Sequence, residues 1–114
     1  MAKVDWSLNE GKIVYTNESY DPQDDEYDVY DFSMKQEKIR NSIEELRTKG
    51  LSVGKTEEGH PIRFELKRSG LEGQVHFVFE CVPRCGGANY AIIHDAISLD
   101  DLVALTEGKK SISS

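Results

Sequence analysis

Cysteine is scarce in this chain. Cys81 and Cys85 are its only two, too few for a disulfide framework, so a fold must rest on its apolar core. Long apolar runs are missing as well. The N-terminus carries no stretch of signal-peptide length, and nowhere do about 18 apolar residues follow one another. A soluble protein of the reducing cytoplasm is therefore expected. Lysine and arginine are absent where acids are densest: Thr16 to Asp31, TNESYDPQDDEYDVYD, holds seven acids and no base. With a formal net charge of −7, direct nucleic-acid binding is disfavoured, because phosphate contacts need clustered Lys and Arg. No catalytic motif with a recognisable spacing stands anywhere, and neither enzymatic activity nor a cofactor is expected.

The 114 residues suit a single domain spanning 1–114, able to bury a modest core. Charge is distributed unevenly along it. Residues 1–32 carry nine acids and two bases, residues 33–84 eight acids and ten bases, and residues 85–114 four acids and two bases. The net excess of the whole chain equals that of its first 32 residues, a pattern that marks an acidic tail or an acidic binding face.

The strongest structural pattern lies between Pro61 and Val82. Ile62, Phe64 and Leu66 alternate with Arg63, Glu65 and Lys67; Val75, Phe77, Phe79 and Cys81 alternate with Gln74, His76 and Glu80. A period of two predicts two half-buried strands, here joined by a glycine turn. Two further short strands are expected around Asn9-Glu10-Gly11, presenting Trp6, Ile13 and Tyr15 to the main sheet. Ser33, with Gln36 three residues on, has the form of a capping box for a helix from Met34 to about Lys49, ended by Gly50. Leu51–Lys55 and Asn89–His94 read as strands. Ser98, with Asp101 three residues on, reads as the cap of a short helix closed by Gly108. The tail 109–114 is expected to fray. The sequence contains no internal repeat. The expected class is α+β: an antiparallel sheet of four to six strands, one long helix packed on it and a short C-terminal helix.

Among candidate sites, the acidic and aromatic segment 17–32 is foremost. Asp21, Asp24, Asp25, Glu26, Asp28 and Asp31 are interleaved with Tyr20, Tyr27 and Tyr30. Spaced carboxylates imitate phosphate charges, and tyrosines add contact area at low entropic cost. A solvated loop covering a sheet edge is the bland alternative. Calcium binding is less well supported, since the spacing lacks the loop glycine and the distal Glu of an EF-hand. Cys81 and Cys85, with His76 and His94, would make four zinc ligands, but Cys81 falls on the apolar face of its strand. Cys85 in Pro-Arg-Cys-Gly-Gly has neighbours that suit a nucleophile, and a glycine turn explains the same residues.

The expected function is therefore non-enzymatic: a protein-binding inhibitor whose acidic surface covers a basic, nucleic-acid-binding site on a target. By analogy of strategy alone, phage-encoded anti-restriction and anti-CRISPR proteins act this way. An immunity protein or antitoxin that neutralises a nuclease, and a small Cys/His metal protein or thiol enzyme, are the alternatives. No membrane partner is expected, and unpaired sheet edges leave room for a homodimer.

Overall fold

The computed structural model describes residues 2–23, 25–69, 72–82 and 90–113, and for 2, 21, 26 and 69 the backbone alone. Its elements, in chain order, are β1 (Ala2–Asn9), β2 (Lys12–Asp21), β3 (Glu26–Lys35), α1 (Gln36–Lys49), β4 (Leu51–Lys55), β5 (Pro61–Ser69), β6 (Glu72–Cys81), β7 (Ala91–Ser98), α2 (Leu99–Thr106) and β8 (Ser111–Ser113). The fold is α+β, with one 14-residue helix and a short C-terminal one, as expected. Its strands divide between two four-stranded antiparallel sheets, ordered β3-β2-β1-β8 and β4-β5-β6-β7. Two sheets arise because two sets of strands each carry an apolar face, and each face removes the other from water.

The residues at that junction are mostly aromatic. Trp6, Tyr15 and Phe32 lie side by side on the inner face of the first sheet, in register across three strands. They meet Phe77 and Phe79 of the second sheet at centroid distances of 4.8 to 5.9 Å, largely edge to face. Each such pair adds about 0.5–1.5 kcal/mol beyond simple burial. Ile39, Ile43 and Leu46 of α1, and Leu102 and Leu105 of α2, complete the core.

The chain order hides a repeat of topology without a repeat of sequence. The units β1-β2-β3-α1-β4 and β5-β6-β7-α2-β8 follow one plan. Each opens with a hairpin whose strands are joined by two residues, Asn9 pairing with Lys12 and Ser69 with Glu72. Each third strand passes directly into a helix, and each helix is followed by a glycine at positive φ, Gly50 and Gly108. The last strands are exchanged: β4 pairs with β5, and β8 with β1. Each half thus supplies the edge strand of the other half's sheet.

Some expectations are corrected here. The long helix starts at Gln36 and Ser33 is no cap: Ser33 pairs with Val14 in β3, because the β2–β3 ladder runs on to Lys12 and Lys35 and holds the backbone extended. The Gln36 N–H donates to the Gly11 carbonyl at 2.9 Å, so the neighbouring turn satisfies a donor that a serine cap would have taken. The tail, expected to fray, forms β8, with Ile112 opposite Trp6. Two helix boundaries hold as read: Gly50 is left-handed and donates to the Leu46 carbonyl, and Ser98 Oγ accepts the Asp101 N–H at 3.1 Å. The strand expected at Asn89–His94 instead runs Ala91–Ser98, because its ladder with β6 continues to Gln74↔Ser98 and holds the chain extended up to that cap. The first turn is tighter than expected, with Glu10 and Gly11 both at positive φ, the form that matches strand twist.

If the two sheets depend on this junction, Phe77→Ala costs about 3–5 kcal/mol. Denaturant unfolding followed by Trp6 fluorescence measures it; a loss below about 1 kcal/mol would show that the sheets do not need the contact.

Candidate functional site

The acidic segment is neither tail nor loop. It is the far half of the β2–β3 hairpin, paired rung by rung from Thr16↔Asp31 to Asp21↔Glu26. The turn connecting the strands places Asp25 at φ 51°, a conformation that aspartate tolerates better than most residues. Alternation divides the segment between two faces. Glu18, Tyr20, Tyr27, Val29 and Asp31 stand on the outer face, with Tyr20 directly opposite Tyr27. Asn17, Ser19, Asp28 and Tyr30 stand on the inner one, continuing the rows of Tyr15 and Phe32.

The second sheet lies across this hairpin strand by strand. Beside Ser33, the turn after β4 supplies Glu57, whose N–H donates to the Ser33 carbonyl, and Glu58, whose carboxylate accepts the Ser33 N–H at 3.0 Å and Oγ–H at 2.6 Å. Next, Phe79 of β6 meets Phe32 at 4.8 Å, and the Cys81 thiol lies against Asp31. Last, Asp95 of β7 accepts the Tyr15 hydroxyl proton, and Asn17 Nδ2 donates to that same hydroxyl oxygen at 3.0 Å. Past Tyr15, the ladder runs on from Asn17↔Tyr30 to Asp21↔Glu26; among the described residues of these rungs only Tyr30 still packs against the core cluster, and the end of the hairpin projects from it. The molecule is accordingly elongated, 43 × 29 × 24 Å.

Each tyrosine of the projection is tied to a carboxylate. Tyr20 donates to Asp25 at 2.7 Å, Tyr27 to Glu18 at 2.5 Å and Tyr30 to Asp28 at 3.3 Å. The acceptor raises the Tyr20 hydroxyl pKa, and burial followed by the Asp28 charge raises that of Tyr30. The Tyr20 and Tyr30 hydroxyls therefore stay neutral donors at physiological pH. Tyr20 and Tyr27 remain 42% and 44% exposed. The result is a paired acidic surface whose outer face carries Tyr20 and Tyr27 side by side.

Not every expected residue is placed on it. Asp24 and Cys85 lie outside the described residues, and Asp21 and Glu26 are fixed by backbone register alone. Glu18 belongs to the surface and was missed; reading Pro22–Asp25 as the hairpin turn would have set it beside Tyr27. Asp95 was missed too, although an acid at a core-facing position of an apolar strand is the signal for it. Among the described residues no group of three or more His, Cys, Asp or Glu is placed to hold a metal. Cys81 is buried, and burial raises its thiol pKa, the opposite of what a nucleophile needs. His76 and His94 lie on the open outer face of the second sheet, opposite Glu65 and Val78. Glu80 accepts the Tyr90 hydroxyl proton.

Set beside protein-family models, curated proteins and solved structures, the chain matches none of them.

Burial, and then the bond to Asp95, raises the Tyr15 hydroxyl pKa well above its ordinary 10.0. A raised folded value means that this contribution to stability is complete below about pH 10 and is lost as pH climbs toward the folded value. Tyr15→Phe should cost about 1–3 kcal/mol at neutral pH. It should also lose less stability than wild type between pH 9 and pH 11, which urea unfolding across that range checks. Parallel alkaline profiles would contradict the assignment.

Proposed function

We propose that the protein is a non-enzymatic binding module, an inhibitor that lays its acidic hairpin on a basic, nucleic-acid-binding surface of a target protein. The observation that carries this reading is the projection of the paired hairpin from the core cluster. Glu18, Asp25 and Asp31 are held there by a strand ladder, with Tyr20 and Tyr27 presented between them, and Asp28 adds charge on the reverse face. A surface already ordered before binding avoids the entropic cost of folding on the partner. Carboxylates along it repel nucleic acid and attract the site that nucleic acid would occupy, which favours rapid, salt-sensitive association. An immunity protein or antitoxin seated on a nuclease is the narrower form of the same reading, since a nuclease also presents a basic cleft.

Capture from a cognate cell lysate tests it. Wild type is compared with a variant carrying Glu18→Gln, Asp25→Asn and Asp31→Asn. The expected result is a nucleic-acid-binding partner that elutes from wild type at moderate salt, is displaced by added DNA or RNA, and binds the variant about tenfold more weakly with a shallower salt dependence. Equal capture by the variant, or no competition from nucleic acid, would contradict the proposal.

A further inference from the structure

Four strands lie at sheet edges: β3 and β8 in the first sheet, β4 and β7 in the second. Three of them are blunted against adding another strand. β8 has three residues, and β4 has five, ending in Gly54-Lys55. β3 is closed at Ser33 by the turn that carries Glu57 and Glu58, and along the rest of its edge it carries the charged residues Glu26, Asp28 and Asp31. β7 is different. It runs for eight residues, Ala-Ile-Ile-His-Asp-Ala-Ile-Ser, without Lys, Arg, Pro or Gly, and among the described residues only β6 pairs with its backbone. A strand edge of this kind is a template for main-chain pairing.

The direction of its free groups can be read. The Ala96 N–H donates to the Asp95 carboxylate at 2.8 Å, so it points off the sheet and not toward β6. Alternation in an antiparallel ladder directs the N–H and C=O groups of Ile92 and His94 the same way. On the outer face Tyr90 and Ile92 are 55% and 56% exposed, placed to flank an incoming strand.

The other side of that edge is acidic. Asp95 faces inward to Tyr15 at the point where the hairpin leaves the core. Beyond it the inner face of the projection continues through Ser19 and Asp28. Asp28 Oδ1 is buried there without a hydrogen-bond partner, a costly state for a carboxylate oxygen that an incoming cation would relieve. The edge of β7 and the floor of the hairpin together make an angled shelf, one side offering backbone groups and the other negative charge. A second copy of the chain is a poor occupant. Two-fold pairing of β7 with itself would bring two Asp95 residues and two acidic hairpins together in molecules of net charge −7.

We propose that the edge of β7 accepts an extended basic segment of the target protein. That segment adds to the second sheet as a fifth strand and directs Lys or Arg side chains at Asp28 and Asp95. This rests on the reading of the target as a basic protein, and names the part of the target that is gripped. Main-chain pairing supplies affinity, and the acidic floor selects for cationic side chains at alternate positions.

The test uses a fluorescent peptide of alternating Lys and Val and the same peptide N-methylated at alternate backbone positions. Anisotropy with the intact protein should show binding that N-methylation weakens by about tenfold or more. Hydrogen exchange should slow at Ile92 and His94 when the unmodified peptide is present. Ile92→Pro, which removes one outward donor while leaving the β6 ladder intact, should weaken the peptide to a similar extent. Equal affinity for the two peptides, or protection confined to the hairpin, would overturn the proposal. So would a dimer in sedimentation whose β7 amides are protected without peptide, which would give the edge to a second copy. Glu18→Gln with Asp31→Asn, on the opposite face of the hairpin, should leave peptide binding within about twofold. Loss of the captured partner in that variant concerns the docking face, and loss of the peptide in Ile92→Pro concerns the edge.

Discussion

The contact between Trp6, Tyr15 and Phe32 on one sheet and Phe77 and Phe79 on the other is the constraint on which the rest of this structure depends. Among the described residues the buried apolar side chains form one cluster, and it lies at this junction. The exchange of β4 and β8 strengthens the dependence, because each half completes the sheet of the other and neither half is whole alone. The helices join the same arrangement. Gln36 and Arg40 of α1 donate to the Thr106 carbonyl at the end of α2, at 2.9 and 2.6 Å, so the C-terminus of one helix is satisfied by side chains of its counterpart.

The acidic surface is a consequence of this frame. Seven acids within sixteen residues would ordinarily repel one another into an extended, solvated chain. Here β2 and β3 are anchored at one end by Ile13, Tyr15, Phe32 and Met34, all buried, and the ladder carries that order outward. Tyrosine contributes twice. It supplies the β propensity that the acids lack, and its hydroxyls hold neighbouring carboxylates in place. Such a segment is costly for a small domain to keep rigid, and rigidity is what a docking surface gains from it.

The sequence made the strands and helices legible wherever alternation or capping is local. The rows Ile62, Phe64 and Val75, Phe77, Phe79 announce a hairpin, and Ser98 with Asp101 announces a helix. It hid what depends on distant partners. Ser33 has the chemistry of a cap, and only the pairing of Lys35 with Lys12 shows that the strand has not yet ended. The tail carries no strong strand signal, because a three-residue strand is fixed by Trp6 across the ladder and not by its own residues. The topological repeat left no trace, since the two halves share hairpin lengths and helix positions but not side chains. For the candidate site, the acids and tyrosines were evident, while their division between two faces required the register set by the turn before Glu26. Asp95 lay some eighty residues from the hairpin it meets, beyond any local pattern.

An acidic surface preformed for a cationic partner, as proposed, requires residues 17–30 to be ordered and paired in the free protein. Amide hydrogen exchange of the isolated protein tests this most directly. Order carried outward from the core predicts protection at alternate residues of 17–30 that declines gradually toward the turn and remains clearly above that of an unstructured peptide. Exchange at the unstructured rate throughout 17–30, with protection beginning only at Tyr15 and Phe32, would contradict it: the acids would then be a tail that folds on binding, and the shelf beside β7 would have no floor.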